Sequence, residues 1–318
     1  MVSVVTPIFN ERANLQELAD RLGRVFAGRG DCGWEWIVVD DGSTDGGAEF
    51  LEGLSFPVGL KIIRLSRNFG QQAALMAGLH EAAGQAVIFL DGDLQDPPEV
   101  ISEFVDCWKA GADVVFGRRI SRGEPWIRRF FIRGFHRVFG RLTGYFMPPD
   151  SGNFGLVSGR VAEILRGMSE HSLYLPGLRA WAGFRRQTVE YHRAGRRRGS
   201  ALSLWRLCSF AWDAIVGFSE APLRLIAVVG VVISVSGFAY GGWLILQRLL
   251  QFFGLFKGLE VLGFTTIAVS VFFMGGVQLI CLGVIGEYLA RIYREVKGRP
   301  RFLVASVIKK GPSNQISE

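Results

Sequence analysis

The chain has 318 residues, of which 49% are apolar and 20% charged, and its formal net charge is +7. A mean hydropathy of +0.26 is too high for an ordinary soluble protein, so part of the chain is expected in lipid. The four cysteines form no C-x-x-C pair and the four histidines are scattered, which argues against a zinc site and a disulfide framework and suits a reducing cytoplasm. Met1 leads directly into a strand-like segment, so no signal peptide is expected.

The first 117 residues alternate strand-like and helix-like segments. Strands are predicted over 2–8, 36–39, 60–65, 86–90 and 112–116, and helices over 10–26, 71–83 and 98–110. This alternation predicts βαβ units and an α/β fold with a mostly parallel sheet. Right-handed crossovers would gather the strand-end loops on one rim, where a metal-bound, phosphorylated ligand could be held. That rim would carry Asn10, Glu11, Asp40, Asp41, Arg67, Asp91, Asp93, Gln95, Arg118 and Arg119.

Two carboxylates, Asp91 and Asp93, directly follow the apolar residues 87–90. Carboxylates this close together are costly unless a cation holds them, and Mg²⁺ prefers oxygen ligands and substrate phosphates. An acidic turn before a helix, with Asp96 as N-cap and Pro97 as the first helical residue, explains only the later positions. The sequence has neither a P-loop nor a G-x-G-x-x-G after its first strand, so metal and arginine are expected to neutralise phosphate.

Four motifs together resemble the family 2 glycosyltransferases of GT-A fold, in their polyprenyl-phosphate (dolichol-phosphate-mannose-synthase-like) branch. They are TPIFNE at 6–11, VVDDGSTD at 38–45, LSRNFG at 65–70 and DGDLQDP at 91–97. The resemblance covers nearly the whole chain. It implies that Pro7, Asn10, Glu11 and Asp40 line the nucleotide pocket, with Asp41 and Arg67 as further candidates on the same rim. It also implies that Asp91 contacts the nucleotide-sugar, and that Asp91, Asp93 and Gln95 surround Mg²⁺ or Mn²⁺.

The segment PDSGNFGL at 149–156 departs from this family, whose members often carry GDFRL with the aspartate as the proposed catalytic base. Asn153 stands at the aspartate position and cannot act as a base. Two alternatives are open: Asp150 substitutes for it, or no base is needed. A phosphate monoester, with a second pKa near about 6, is largely a dianion at neutral pH and could attack without losing a proton.

Arginines crowd two segments, eight within 118–141 and seven within 185–206. Aromatic residues are interleaved with the first group. A nucleic-acid patch lacks any accompanying recognition motif, and a solvated charged face does not explain the aromatics. We therefore expect residues 118–146 to form a basic amphipathic segment at the membrane interface. The candidates for binding the acceptor phosphate are Arg118, Arg119, Arg128, Arg193 and Arg197.

Two uncharged stretches, 225–246 and 261–286, are each long enough to span a bilayer. Arginine and lysine on both outer flanks place the two termini in the cytoplasm, at a bacterial inner membrane. The predicted organisation is a cytoplasmic GT-A domain over 1–200, a juxtamembrane amphipathic helix over 201–221, and a two-helix anchor over 222–287. A cytoplasmic helix and tail would follow over 288–318, with the last dozen residues disordered.

The sequence thus predicts an inverting, metal-dependent enzyme that moves a sugar from a UDP- or GDP-sugar to a polyprenyl phosphate. Its other partners would be membrane lipids, and the resemblance implies a homo-oligomer, a tetramer. One alternative is a transferase for another lipid or a polysaccharide, against which the missing Gln-x-x-Arg-Trp of processive synthases counts. The other is a non-catalytic membrane scaffold that has kept the fold, which Asn153 favours and Asp91, Asp93 and Gln95 oppose.

Overall fold

The computed structural model describes residues 1–54, 56–120, 148, 151–168, 170, 174–192, 220–254 and 263–311. The chain forms two compact units, residues 1–201 with 299–318, and residues 202–298. Most of the basic segment 118–146 and nearly all of the juxtamembrane helix 201–221 lie outside the described residues. So do four predicted site residues, Arg128, Asp150, Arg193 and Arg197.

The first unit is built on one mixed sheet of eight strands in the order β7-β5-β6-β4-β1-β2-β3-β8. The strands are β1 (Val2–Ile8), β2 (Trp34–Asp40), β3 (Gly59–Leu65), β4 (Ala86–Phe89), β5 (Val114–Arg119), β6 (Ser151–Ser158), β7 (Arg186–Tyr191) and β8 (Val304–Lys310). Strands β4, β1, β2 and β3 are mutually parallel, whereas β6 runs antiparallel to both β4 and β5. The predicted α/β fold with a mostly parallel sheet is confirmed.

Helices flank this sheet: α1 (Arg12–Ala27), α2 (Gly47–Gly53), α3 (Gln71–Glu81), α4 (Ile101–Lys109), α5 (Gly159–Gly167) and α6 (Leu175–Trp181). A 3₁₀ turn, Pro98–Val100, precedes α4, so the helix predicted over 98–110 begins with a tighter turn. The alternative interpretation, with Asp96 as the N-cap, is wrong, because the residue before this turn is Pro97. Asp96 is fully buried.

Helix α3 lies unusually close to the sheet. A Cβ at Gly78 would collide with Val5 Cγ1 and would lie 3.0 Å from Val39 Cγ2, so only glycine fits there. Residues Ala73 to Leu79 are all buried, and they include three alanines. Small side chains let the helix approach β1 and β2, which fixes the position of its first turn at the sheet rim.

The central strands β1, β2 and β4 are buried on both faces, as their apolar sequences require. All seven residues of β1 are buried, and Trp36 in β2 is fully buried with its indole N–H donating to Thr6 Oγ1 at 3.0 Å. Each such side chain contributes about 1.5–3 kcal/mol through its burial. The core therefore holds the strand ends, and the loops that follow them, in a fixed arrangement.

The expectation of a disordered tail is wrong for residues 307–310. Strand β8 runs from Val304 to Lys310 and pairs antiparallel with β3 at the edge of the sheet. Lys310 Nζ also donates to the Leu54 carbonyl at 2.9 Å, and Ile308 packs against the core. The chain therefore returns to the first unit after its two long helices.

The second unit contains the two long apolar helices α7 (Ala221–Phe252) and α8 (Gly263–Val296). By length and composition each could cross a membrane, over Pro222–Gln247 and Val269–Val296. The first range matches the predicted span 225–246, whereas the second begins and ends later than the predicted 261–286. The expected continuation of the second span as a helix beyond Gly286 is observed.

Candidate functional site

The predicted rim exists, because the carboxyl ends of four parallel strands meet at one edge of the sheet. Pro7 is the buried penultimate residue of β1, and Asn10 and Glu11 follow that strand. Asp40 ends β2, Arg67 follows β3, and Asp91, Asp93 and Gln95 follow β4. Such an edge is where open α/β sheets bind ligands.

Asn10 joins the loops that follow β1 and β2. It has a positive φ of 56°, and its Oδ1 accepts the Thr44 backbone N–H at 2.9 Å. Asp40 Oδ1 accepts the Ser43 N–H at 2.8 Å, and Ser43 Oγ accepts the Asn10 N–H at 3.0 Å. These bonds tie the loop after β1 to the loop after β2, and Asn10, with its positive φ, is the residue that joins them.

Glu11 contributes negative charge beside the same two loops. Burial raises the pKa of its carboxyl above the ordinary value, as do the neighbouring carboxylates of Asp93 and Asp45, while Asn14 opposes this with a hydrogen bond. Acidic side chains that follow β1 and β4 therefore face one another across the rim. A cation bound there would relieve their repulsion.

Asp41 holds the loop that precedes α3, and its predicted nucleotide contact stays a prediction. It is buried, and its two carboxylate oxygens accept the backbone N–H groups of Phe69 and Gly70 at 2.7 and 2.8 Å. Gly42, at φ +77°, sits so close to this loop that a Cβ would lie 2.8 Å from Asn68 N. Arg67 is exposed and stacks on Phe69, with 4.4 Å between its Cζ and the ring centroid, and stays available at the rim.

The turn after β4 holds its two aspartates by different contacts. Gln71 Nε2 donates to Asp91 Oδ1 at 2.8 Å, and Asp93 Oδ1 accepts the Gln95 backbone N–H at 3.1 Å. Leu94, between Asp93 and Gln95, has a φ of +57°. A bulky residue in the left-handed region costs about 1–2 kcal/mol, and such strain is typical of functional turns.

The donor set fits a hard divalent cation that keeps substrate oxygens among its ligands. No group of three His, Cys, Asp or Glu side chains in the described part of the chain could enclose a metal by itself. Two carboxylates and the Gln95 amide would supply part of an oxygen shell, and Mg²⁺ or Mn²⁺ would complete it with phosphate and water. The residues present therefore agree with the predicted metal.

Asn153, in β6, is buried and held by Gln72. Gln72 Nε2 donates to Asn153 Oδ1 at 3.0 Å, and the backbone N–H of Leu175 donates to Gln72 Oε1 at 2.9 Å. The side chains of two consecutive residues thus reach two different predicted site residues, Asp91 and Asn153. Sequence reasoning missed both glutamines, although two polar residues opening a buried, alanine-rich helix were a usable signal.

Arg179, from α6, is a second residue that sequence reasoning did not identify. Its guanidinium is completely buried, stacks near Phe116 and donates to the Gly152 carbonyl at 2.6 Å. Its Nε and Nη1 have no hydrogen-bond partner among the described residues. Burial lowers its pKa to about 10, against the opposing charge of groups that include Asp91. Its Nη1 lies 2.5 Å from where a Cβ of Gly155 would stand, so that glycine makes room for it.

The two predicted acceptor-phosphate arginines that the structure describes are both paired with acids. Arg118 Nη1 lies 3.0 Å from Glu190 Oε1 in a half-exposed pair. Arg119 donates to the Tyr191 hydroxyl at 3.1 Å and lies 3.5 Å from buried Asp96, to which that hydroxyl donates at 2.7 Å. Burial raises the pKa of Tyr191. Arg119 therefore has partners within the fold, while Arg118 lies at the surface, and their predicted acceptor roles stay predictions.

A mostly parallel sheet with an Asp-x-Asp turn after β4 and a carboxylate-lined rim defines a GT-A-type sugar-nucleotide transferase fold. Residues 3–159 match the family described as Glycosyl transferase family 2, and residues 221–292 match the GtrB C-terminal hairpin. The chain belongs to the family 2 glycosyltransferases.

Named relatives agree with this over nearly their whole length. An uncharacterized glycosyltransferase of Synechocystis is 41% identical over 96% of this chain and 95% of its own. A prophage-derived bactoprenol glucosyl transferase of Shigella flexneri is 35% identical over 98% of this chain and 99% of its own. Among solved structures, the Mycobacterium tuberculosis glucosyl-3-phosphoglycerate synthase complex with Mn²⁺ and UDP overlaps 68% of this chain and 77% of its own. That overlap has 20% identity and a TM-score of 0.44, and carries no weight for the site.

Proposed function

We propose that the protein transfers a sugar from a nucleoside-diphosphate sugar to a polyprenyl phosphate at a membrane surface. The observation that carries this is the turn bearing Asp91 and Asp93, set on a rim with Asn10, Glu11 and Asp40. The names of relatives such as the Shigella flexneri bactoprenol glucosyl transferase support the acceptor class. The two long apolar helices support an anchor beside a lipid acceptor.

In the proposed reaction, an oxygen of the acceptor phosphate forms a bond to the anomeric carbon of the sugar. The bond from that carbon to the β-phosphate oxygen breaks, and the nucleoside diphosphate leaves with the electron pair. Attack from the face opposite the leaving group inverts the anomeric configuration. The dianionic phosphate supplies the nucleophile without losing a proton.

Side chains of this protein would hold the donor in that geometry. Asp91, Asp93 and Gln95 would bind Mg²⁺ or Mn²⁺, which when present neutralises charge on the leaving diphosphate. Asn10, Glu11 and Asp40, with Pro7 beneath them and Arg67 at the edge, would bind the nucleotide. Arg118, Arg128, Arg193 and Arg197 are proposed to meet the acceptor phosphate or lipid headgroups.

The proposed location is a bacterial inner membrane with the first unit and both termini in the cytoplasm. Positive charge on both outer flanks of the two apolar helices supports this orientation. We also propose that the protein works as a homo-oligomer, in line with the resemblance of its sequence. Asp150 stays a candidate base should the acceptor need one.

The first test is sugar transfer by the full-length protein in detergent, with radiolabelled UDP- and GDP-sugars, a short-chain polyprenyl phosphate and Mn²⁺ or Mg²⁺. We expect a sugar-phospholipid product with one of these donors. Transfer only to a lipid hydroxyl or a polysaccharide would overturn the proposed acceptor. Binding of donors without any turnover would favour a scaffold.

The metal assignment is tested with Asp93→Asn, which keeps an oxygen to accept the Gln95 N–H. We expect transfer to fall by about 100-fold or more, because the charge that binds the cation is lost. Asp20→Asn, on the exposed face of α1, is the matched control and should leave transfer unchanged. Full activity of Asp93→Asn with Mn²⁺ would contradict the assignment.

A further inference from the structure

Two consecutive glutamines open helix α3, and their side chains diverge to different parts of the rim. Gln71 Nε2 donates to Asp91 Oδ1 at 2.8 Å. Gln72 Nε2 donates to Asn153 Oδ1 at 3.0 Å. One helical turn therefore contacts both the carboxylate that follows β4 and the amide carried by β6.

The hydrogen bonds fix which way the two amides point. The backbone N–H of Leu175 can only donate, so the Gln72 atom that faces it is the oxygen, Oε1, at 2.9 Å. The opposite atom of Gln72 is then Nε2, a donor, and the Asn153 atom it meets must be an acceptor, Oδ1. Asn153 consequently directs its Nδ2, with two N–H donors, to the side away from Gln72.

The sheet order places Asn153, in β6, between the strand that leads to Asp91 and the strand that carries Arg118. Strand β6 lies between β4 and β5. The last β4–β6 pair is Phe89 with Gly155, and Asn153 and Asp91 each lie two residues beyond this pair, where the consecutive residues Gln71 and Gln72 contact them. On the other side, Arg118 of β5 pairs with Ser151.

The first turn of α3, which carries the two glutamines, is held by contacts before it and by close packing further along the helix. Asp41 accepts the N–H groups of Phe69 and Gly70, the two residues that precede α3. Gly78 keeps the helix tightly against β1 and β2. Because the helix is held at both places, its first turn can fix the side chains it contacts.

We propose that Gln71 and Gln72 are positioning residues that divide the site, Gln71 orienting Asp91 toward the donor and Gln72 locking Asn153 as a hydrogen-bond donor toward the acceptor phosphate. This rests on the proposed function. An amide that presents N–H groups binds an anionic phosphoryl oxygen but cannot remove a proton from a hydroxyl. Gln72 thereby makes the site specific for an acceptor that already carries negative charge.

The test uses the full-length protein and measures three quantities for each variant: KM for the polyprenyl phosphate, KM for the nucleotide-sugar, and the half-saturating Mn²⁺ concentration. Gln72→Glu keeps the acceptor for the Leu175 N–H, but its second carboxylate oxygen attracts the Nδ2 of Asn153. The amide then turns its oxygen toward the acceptor. We expect KM for polyprenyl phosphate to rise about tenfold or more, with the other two quantities unchanged.

Gln71→Leu is the matched partner and should have the opposite pattern. The variant loses the hydrogen bond that Gln71 donates to Asp91 Oδ1, so we expect KM for the nucleotide-sugar and the half-saturating Mn²⁺ concentration to rise about tenfold. KM for polyprenyl phosphate should stay as in the wild type. Gln16→Leu makes the same chemical change on the exposed face of α1 and should alter none of the three. Thermal midpoints identify any variant whose kinetics reflect poor folding.

A third variant tests the donor role directly. Asn153→Asp puts a carboxylate oxygen where Nδ2 stands, and we expect KM for polyprenyl phosphate to rise about tenfold by charge repulsion. Faster transfer by Asn153→Asp than by the wild type would overturn the proposal, since the position would then accept a base. If the wild type uses polyprenyl phosphate but Gln71→Leu and Gln72→Glu raise the same Michaelis constant, or neither, the inference alone fails. If the wild type transfers nothing to polyprenyl phosphate, the proposed function fails.

Discussion

The two ends of the sheet treat buried charge in opposite ways. At the amino end, Glu35 accepts hydrogen bonds from Ser3 Oγ at 2.6 Å and the Ala83 N–H at 2.9 Å, and pairs with Lys61 at 3.2 Å. Lys61 Nζ also donates to the Glu81 carbonyl. Burial by itself would raise the pKa of Glu35, but these partners bring it below the ordinary value.

At the carboxyl end, Asp41 and Asp96 have hydrogen-bond partners, but other charged groups are less well compensated. Burial and neighbouring carboxylates raise the pKa of Glu11, and Asn10 and Leu94 hold positive φ angles. Arg179 is buried with two nitrogens that no described residue satisfies. A fold that satisfies its charges at one end and strains them at the other is expected to bind its ligand at the strained end. Substitutions at the two ends should therefore separate stability from activity.

The largest expected effect follows from filling the space beneath Arg179. In Gly155→Ala the new Cβ would collide with the Val115 carbonyl oxygen and press on Arg179 Nη1 at 2.5 Å. Because a central strand cannot shift to make room, we expect the free energy of unfolding to fall by about 3 kcal/mol and sugar transfer to be impaired. Thermal unfolding of the full-length protein measures the first effect. Gly167→Ala, with open space around its Cβ, should be tolerated, and equal stability of both variants would contradict a fixed Arg179.

A substitution at the amino end of the sheet, Glu35→Gln, is expected to lower the free energy of unfolding somewhat less and to leave the kinetics of transfer unchanged. Glu35→Gln keeps an oxygen for Ser3 and Ala83 but sets an amide against Lys61, at a cost of about 2 kcal/mol. Michaelis constants for donor and acceptor should stay at wild-type values. An altered donor KM would show that Glu35, at the amino end, also supports the site.

The pH dependence of stability gives a second readout of the same variant. The folded pKa of Glu35 lies below its ordinary value of 4.5, so its contribution is present above pH 4.5 and is lost as pH falls through the folded pKa. The wild-type advantage over Glu35→Gln should therefore shrink on acidification. A constant difference at all pH values would contradict the ion pair.

Sequence patterns predicted the sheet and the rim because both depend on local rules. Buried strands are continuous apolar runs, and Asp91 and Asp93 can be recognised because they directly follow one. Contacts between side chains of distant segments could not be predicted in this way. Nothing local indicates that Asp41 accepts from Phe69, that Gln72 reaches Asn153, or that Arg179 fills the space at Gly155.

Strand β8 was missed for a related reason. Val304, Val307 and Ile308 are β-branched residues of the kind that predicts a strand, but the run is short and lies at the start of the predicted tail. Strand β8 lies at the edge of the sheet beside β3, and most of its residues are exposed. An edge strand buries too little apolar surface for its sequence to show the pattern of a core strand.

The smallest expected effect on stability is at Glu11, and it has the opposite sign to the effect at Glu35. Because the folded pKa of Glu11 is raised, its ionised form destabilises the protein at neutral pH, and this cost is relieved as pH falls through the folded pKa. Glu11→Gln keeps an oxygen for Asn14 and should raise the thermal midpoint at pH 7 by about 1 °C while weakening donor binding. The gain should vanish below the ordinary pKa of 4.5. Glu17→Gln, exposed on α1, should change neither quantity; a lower midpoint for Glu11→Gln would mean that the carboxylate supports the fold as Glu35 does.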